Sequence, residues 1–255
     1  MEKVRLDCPG FFTPKAIAGL HLPKLTSLST TTMPLTEPAC REWFYALPSL
    51  TRLQAGYTKA DGQILDALGA APWWSRLTYF EWVVSNLTKT TRWRALWEGR
   101  TFALRTLCLQ YLNTQQALDL LSARFPDLEF LAVGHEIDES FLDTLARADL
   151  PSLRDIELRF TGVRDIRQFA ARRHPGLPKL ERIGITAFSD REETYHDWDG
   201  SVVGRGNVKM DDREVQEAFF RESPYRLLPS DSGTWQRFNS SQSQYAFGWF
   251  MERPK

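Results

Sequence analysis

Cysteine is scarce in this chain. Only Cys8, Cys40 and Cys108 are present, and no two form a C-x-x-C pair. An odd count leaves at least one thiol unpaired in any intrachain scheme. That excludes a framework stapled by disulfides and points to reduced thiols in the cytoplasm or nucleus. Histidine is as sparse: His21, His135, His174 and His196 fall at unrelated phases, none within metal-ligand spacing of another. No metal site is expected from them. Net charge is lacking too, since Lys+Arg 32 balances Asp+Glu 32, so no global field draws the chain to nucleic acid or to an anionic membrane. No apolar run approaches the ~18 residues that a membrane span needs. The start, MEKVRLDCPGFFTP, lacks the basic and apolar regions of a signal peptide. The sequons Asn86-Leu87-Thr88 and Asn239-Ser240-Ser241 are therefore expected to go unused.

Catalytic signatures are missing as well. None of H-E-x-x-H, G-x-S-x-G, the P-loop or G-x-G-x-x-G occurs, and Gly204-Arg205-Gly206 alone is a weak glycine signal. The stretch His196-Asp197-Trp198-Asp199-Gly200 has part of a calcium-loop pattern. It lacks a third oxygen ligand at the right position and the distal Glu, and reads as a surface turn. No catalytic residue, metal or cofactor is assigned.

What the chain does have is a period. Leu104-Arg105-Thr106-Leu107-Cys108-Leu109 shows the spacing L-x-x-L-x-L, then a turn-like Asn113-Thr114, then a helical pattern at Ala117, Leu120 and Leu121. The opening recurs with first members at 25, 50, 77, 104, 128, 153 and 180, intervals of 25, 27, 27, 24, 25 and 27 residues. One strand and one helix per interval is the pattern of leucine-rich repeats. Pro23, Pro48, Pro126, Pro151 and Pro178 each stand two residues before a first Leu, where proline ends a helix and turns the chain back. Asp138 is placed as a helix N-cap, with Phe141, Leu142 and Leu145 on one face. Pro38 suits the first turn of another helix.

The expected fold is α/β: a repeat solenoid, a horseshoe with a parallel concave sheet and convex helices, plus a C-terminal cap. Residues 1–189 form the array, seven full repeats and one partial; 190–255 form an irregular cap with a short helix from Asp211 and an aromatic segment. Residues 190–206 read as a loop. Projecting the period backward from Leu25 gives Met1, Val4 and Leu6, so the chain starts inside a repeat with an uncapped edge. Either a longer reading frame was truncated or a partner covers that edge, and truncation is the favoured expectation.

Two basic clusters invite a nucleic-acid reading. Arg92, Trp93, Arg94 and Trp97 interleave cations with rings that could stack on bases. At their spacing, Trp93 and Trp97 instead form the inner face of a convex helix. Arg164, Arg167, Arg172, Arg173 and His174 likewise read as the solvated side of a helix whose inner face is Ile166, Phe169 and Ala170. The surface left for function is the concave sheet, whose residues alternate with the buried Leu positions. Its candidate partner-binding residues are Arg52, Gln54, Tyr79, Glu81, Cys108, Gln110, Phe130, Asp155, Glu157, Arg159 and Arg182. Tyr79 and Phe130 stand around small Cys108 and Ala132, with charged groups to either side, an aromatic centre with a polar rim. Cys108 is expected to face solvent as an ordinary thiol.

The repeats resemble those of the ribonuclease-inhibitor-like superfamily, and most closely those of fungal F-box/LRR proteins, over Met1 to about Thr186. Family members often carry Asn or Cys three residues after the last strand Leu. Here Met33, Thr58, Ser85, Leu112, Glu136, Thr161 and Phe188 hold that position, and such degenerate repeats look more like the F-box group than the regular inhibitors. The resemblance implies a non-enzymatic scaffold that holds a protein partner on its concave face, as the substrate receptor of an F-box-type ubiquitin ligase. It implies a ligase adaptor only where an F-box is present, and no LPxEI-like segment occurs; LPKL and LPSL are repeat junctions. The alternatives are nucleic-acid binding through the Arg/Trp helix and an enzyme using Asp155, Glu157 and Arg159.

Overall fold

The computed structural model describes residues 2–6, 22–32, 37–59, 62–85, 90–136, 138–160, 175–188, 194–196, 202–205, 226–228 and 246–252. Strands β1 (Glu2–Leu6), β2 (Leu25–Thr32), β3 (Arg52–Lys59), β4 (Tyr79–Ser85), β5 (Thr106–Asn113), β6 (Phe130–Glu136), β7 (Asp155–Phe160) and β8 (Arg182–Phe188) lie side by side in chain order. All of these neighbours are parallel. Between them run α1 (Glu37–Ala46), α2 (Gly62–Ala70), α3 (Thr90–Trp97), α4 (Thr114–Leu120) and α5 (Glu139–Arg147). Strand–helix units thus stack in sequence order, an arrangement compatible with a solenoid.

The period in the sequence sets the register. Leu53 pairs with Phe80, Phe80 with Leu107, Leu107 with Leu131, Leu131 with Ile156 and Ile156 with Ile183, all at the same offset from their first Leu. The first Leu of each unit is buried, yet hydrogen-bonded strand begins at or shortly after it. The reason lies in the turn that precedes it. Each of the five recurring prolines occupies the second position of a turn closed by an i to i+3 bond: Leu25, Leu50, Leu128, Leu153 and Leu180 donate their N–H to the carbonyls of Leu22, Leu47, Phe125, Leu150 and Leu177. Proline presets the backbone for that position.

The turns also build a ladder that the Leu pattern does not announce. The residue after each first Leu donates its N–H to its counterpart one unit back: Thr51 to Thr26, Thr78 to Thr51, Arg105 to Thr78, Glu129 to Arg105, Arg154 to Glu129 and Glu181 to Arg154, all between 2.8 and 3.0 Å. Backbone groups just after each buried first Leu are satisfied this way.

Helix inner faces close the core from one side of the sheet. Phe44, Ile64, Leu68, Trp93, Leu96, Trp97, Ala117, Leu120, Phe141, Leu142 and Leu145 are all buried. Trp93 and Trp97 are 0% exposed, so the inner-face reading of the Arg/Trp segment holds and that helix offers no indole for a base to stack on. Its arginines are engaged on the surface: Arg92 with Asp66 of α2, Arg94 with Glu98. Asp138 caps α5 by accepting from the Ser140 N–H at 2.9 Å. Asn113 and Gln116 form a reciprocal capping box at the start of α4, a spacing readable in the sequence. To place Asn113 there, β5 bulges at Tyr111, which takes a left-handed φ of 61°. That costs a β-substituted residue about 1–2 kcal/mol, and the adjoining Leu112 is fully buried.

Two departures from the expected plan lie near the C-terminus. The sheet is not purely parallel: β12 (Ala246–Glu252) runs antiparallel along β8, and β11 (Arg226–Leu228) runs antiparallel to β12. The segment expected to be a loop holds β9 (Thr194–His196) and β10 (Val202–Arg205), paired antiparallel. Their β-branched and aromatic residues flank Asp199-Gly200, a hairpin signal masked by the polar composition around it. The Arg164–His174 cluster, the helix start at Asp211 and most of the calcium-like turn lie outside the described residues. Among the described residues no helix is long and apolar enough to cross a membrane.

Candidate functional site

The sheet face away from the helices carries two rows fixed by strand register. One runs Ser27, Arg52, Tyr79, Thr106, Phe130, Asp155, Arg182. The other runs Ser29, Gln54, Glu81, Cys108, Ala132, Glu157, Gly184. Every candidate residue sits on one of these rows or on the next, where Gln110 pairs with Gly134 and Gly134 with Arg159. Neighbours within a row are about 4.8 Å apart, so the register does bring the candidates onto one surface. The side chains of Arg159 and Arg182 lie outside the described residues.

The first row is accessible, whereas the second is half-buried at Ser29 and Gln54 and buried from Glu81 to Glu157. Arg52 is exposed, and Tyr79, Phe130 and Asp155 are half-buried. Cys108, expected to face solvent, is 2% exposed; Glu81 and Glu157, expected on the rim, are also buried. The correction has a physical cause. A second-row residue lies between two other outward-facing rows as well as between neighbours in its own, so a large side chain of an adjoining row can lean across it. Tyr79 does this visibly, its hydroxyl donating to Glu81 Oε2 at 2.5 Å. The second row is thus a supporting layer. Alternation reveals which face a residue takes, while its cover depends on the bulk of residues about 25 positions away.

Tyr79 is the best-anchored member of the surface. The Arg52 guanidinium carbon stands 4.4 Å from its ring centroid, a cation–π contact. Burial pushes the phenol pKa well above its ordinary 10.0, and the charge of Glu81 and the hydrogen bond to it push the same way. Cys108 adds to the rise, and Arg52 opposes it. Tyr79 therefore stays a neutral donor where ordinary tyrosines ionise. Its contribution to stability is complete below the unfolded pKa and is lost as pH rises toward the folded one. Behind it, Ser29 Oγ donates to Gln54 Oε1 at 3.0 Å, so the next strand's polar pair is also fixed.

Tyr79→Phe is expected to lower stability by about 1.5–3 kcal/mol, the range for a hydrogen bond to a charged group, because Glu81 loses its donor while still buried. Adding Glu81→Leu to the Tyr79→Phe chain should recover most of that loss. Urea denaturation of the single and double variants checks this; a Tyr79→Phe chain as stable as wild type would sink it.

Sequence reasoning left out two members of this surface. Lys3 and Arg5 of β1 pair in register with Ser27 and Ser29, which puts basic residues at the head of both rows by backbone position; their side chains lie outside the described residues. Extending the offset rule to the partial first repeat would have found them. Among the described residues no group of three His, Cys, Asp or Glu side chains is placed to hold a metal ion.

The geometry defines a class: an α/β chain of stacked strand–helix units that presents one side-chain-bearing sheet face uncovered by any of the described helices. No family model matches the chain, and no curated protein shows significant similarity to it.

Proposed function

We propose that the chain is a leucine-rich-repeat scaffold that binds a protein partner on its helix-free face without catalysing a reaction. The observation that carries this reading is the ordered cluster of Arg52, Tyr79 and Glu81. It holds an aromatic ring and a planar cation in fixed positions on that surface. Rigid aromatic and arginine side chains dominate binding energy at protein interfaces, because little conformational freedom remains to be lost on docking. Phe130, two strands along the same row, supplies a second ring. A shallow sheet face suits a protein surface better than a small substrate, which needs enclosure. The substrate-receptor role in a ubiquitin ligase, implied by the resemblance to F-box/LRR proteins, is the finer form of this proposal.

The test is affinity capture from native lysate with the wild-type chain and a Tyr79→Ala/Phe130→Ala variant. Specific proteins should be recovered with the first and reduced at least tenfold with the second, about 1.4 kcal/mol or more. Circular dichroism must first show that the variant keeps its fold. Ligase adaptors retained by both chains would support the receptor role. Equal recovery of the specific proteins by the two would overturn the proposed face.

A further inference from the structure

The rows of the helix-free face are electrically uneven, and the unevenness identifies a partner chemistry. On strands β1 to β3 they contain Lys3 and Arg5, then Ser27 and Ser29, then Arg52 and Gln54, with no carboxylate. The first acidic member is Glu81 of β4, buried and hydrogen-bonded to Tyr79. Asp155 and Glu157 come three strands further on. On these two rows the β1–β3 end is therefore basic, in a chain whose overall charge is zero.

We propose that this end binds an acidic segment of a protein partner, with Arg52 as its anchor. Arg52 is exposed where Ser27, Ser29 and Gln54 are half-buried, and its guanidinium is held over the Tyr79 ring rather than free to sweep through solvent. A stacked guanidinium keeps its edge donors outward in the fork geometry that matches a carboxylate, and stacking lowers the ordering cost of pairing. Tyr79 in turn is fixed by Glu81, so the buried second row acts as a positioning layer for the anchor. By strand register Lys3 and Arg5 stand on β1, two strand spacings or roughly 10 Å along the sheet from Arg52. That span accommodates carboxylates a few residues apart on an extended chain. The inference rests on the protein-binding reading and gives it a partner class.

The direct test uses fluorescein-labelled deca-glutamate and deca-glutamine peptides, with binding to the full chain followed by anisotropy at low salt. The glutamate peptide should bind at least about tenfold more tightly than the glutamine peptide, with the difference shrinking as salt screens it. Arg52→Glu should abolish that preference, and Arg52→Lys should retain only part of it, because charge without the planar fork is insufficient. Arg52 is exposed and its cation–π contact with Tyr79 is a surface one, so its variants should stay folded, with melting temperatures only a few degrees below wild type. Equal binding of the two peptides, an unchanged preference in Arg52→Glu, or tighter binding of a single-stranded oligonucleotide than of the glutamate peptide would each overturn the proposal. Lysate capture separates the two levels. If proteins lost from the Tyr79→Ala/Phe130→Ala chain are kept by Arg52→Glu, the acidic-segment inference fails and the binding face stands. If the wild-type chain captures nothing and binds neither peptide, both fail.

Discussion

Replacing Trp97 by Ala should destabilise the protein by about 3–5 kcal/mol, the usual range for emptying an aromatic core site. Trp97 is 0% exposed and its ring lies against Trp74, Trp93, Phe102 and Phe125, at centroid distances of 5.3, 5.4, 5.3 and 6.2 Å. These partners belong to successive strand–helix units. In a stacked array each unit is stabilised by its interfaces with the next, so a void here weakens two interfaces at once. A domain of ordinary stability holds about 5–15 kcal/mol in reserve, so a loss of this size should appear as a large drop in the urea midpoint. Milder substitutions sharpen the test. Trp97 Nε1 is buried and meets no acceptor among the described residues, whereas Trp93 Nε1 donates to the Gln116 carbonyl at 2.8 Å. Trp97→Phe removes an orphaned donor, while Trp93→Phe removes a satisfied one and takes a partner from Gln116. The second should cost about 1 kcal/mol more than the first. Equal costs would mean that the Trp97 indole finds an acceptor in solution.

Much of this architecture was legible in the sequence because the period is redundant. The L-x-x-L-x-L spacing, the recurring prolines and the helical stripes each point to the same unit length, and the strand register follows it residue for residue from Leu53 to Ile183. Asp138 was legible for a local reason, since a cap acts on the residues beside it. Cys108, Glu81 and Glu157 were not. Their side of the sheet follows from alternation, but their burial depends on which bulky residues occupy the adjoining strands, and no local pattern encodes that. The Arg52–Tyr79 stack was hidden in the same way: both residues were recognised as surface candidates, but their contact bridges 27 positions and needs the register to be known first. In the ladder through Thr26, Thr51 and Thr78, the hydroxyls of Thr51 and Thr78 reinforce the backbone bonds by donating to the same carbonyls at 3.2 Å. Arg105, Glu129, Arg154 and Glu181 follow in that phase, so the side-chain signature is lost. The antiparallel additions β12 and β11 break the period altogether, so nothing in the repeat pattern points to them.

Gly176→Ala should cost about 3 kcal/mol, the upper part of the range for overpacking, and the damage should be confined to one end of the array. A Cβ at Gly176 would lie 2.0 Å from the Ala148 carbonyl oxygen and 2.9 Å from its carbon. Both are backbone atoms, at the residue that ends α5. No rotamer change relieves such a contact, so the two turns must separate. Their separation endangers the bond from the Leu150 N–H to the Gly176 carbonyl and the seat of the buried Leu177 and Leu180 beneath β8. Gly69→Ala is the matched control. Its Cβ would meet the Leu96 Cδ2 methyl at 3.0 Å, the end of a side chain that can move a little. Within α2 it would gain up to about 1 kcal/mol of helix propensity, so the net change should be near zero. Urea midpoints compare the two, and hydrogen exchange locates the damage. Amides of β8 should lose protection in Gly176→Ala, while those of β3 and β4 keep theirs, because nearest-neighbour arrays loosen from the injured end. The glutamate-peptide preference anchored by Arg52 should then survive Gly176→Ala and fail in Arg52→Glu. A Gly176→Ala chain as stable as wild type would show that the two turns are not packed this closely. Uniform loss of protection along the sheet would show that the units unfold as one body rather than in sequence.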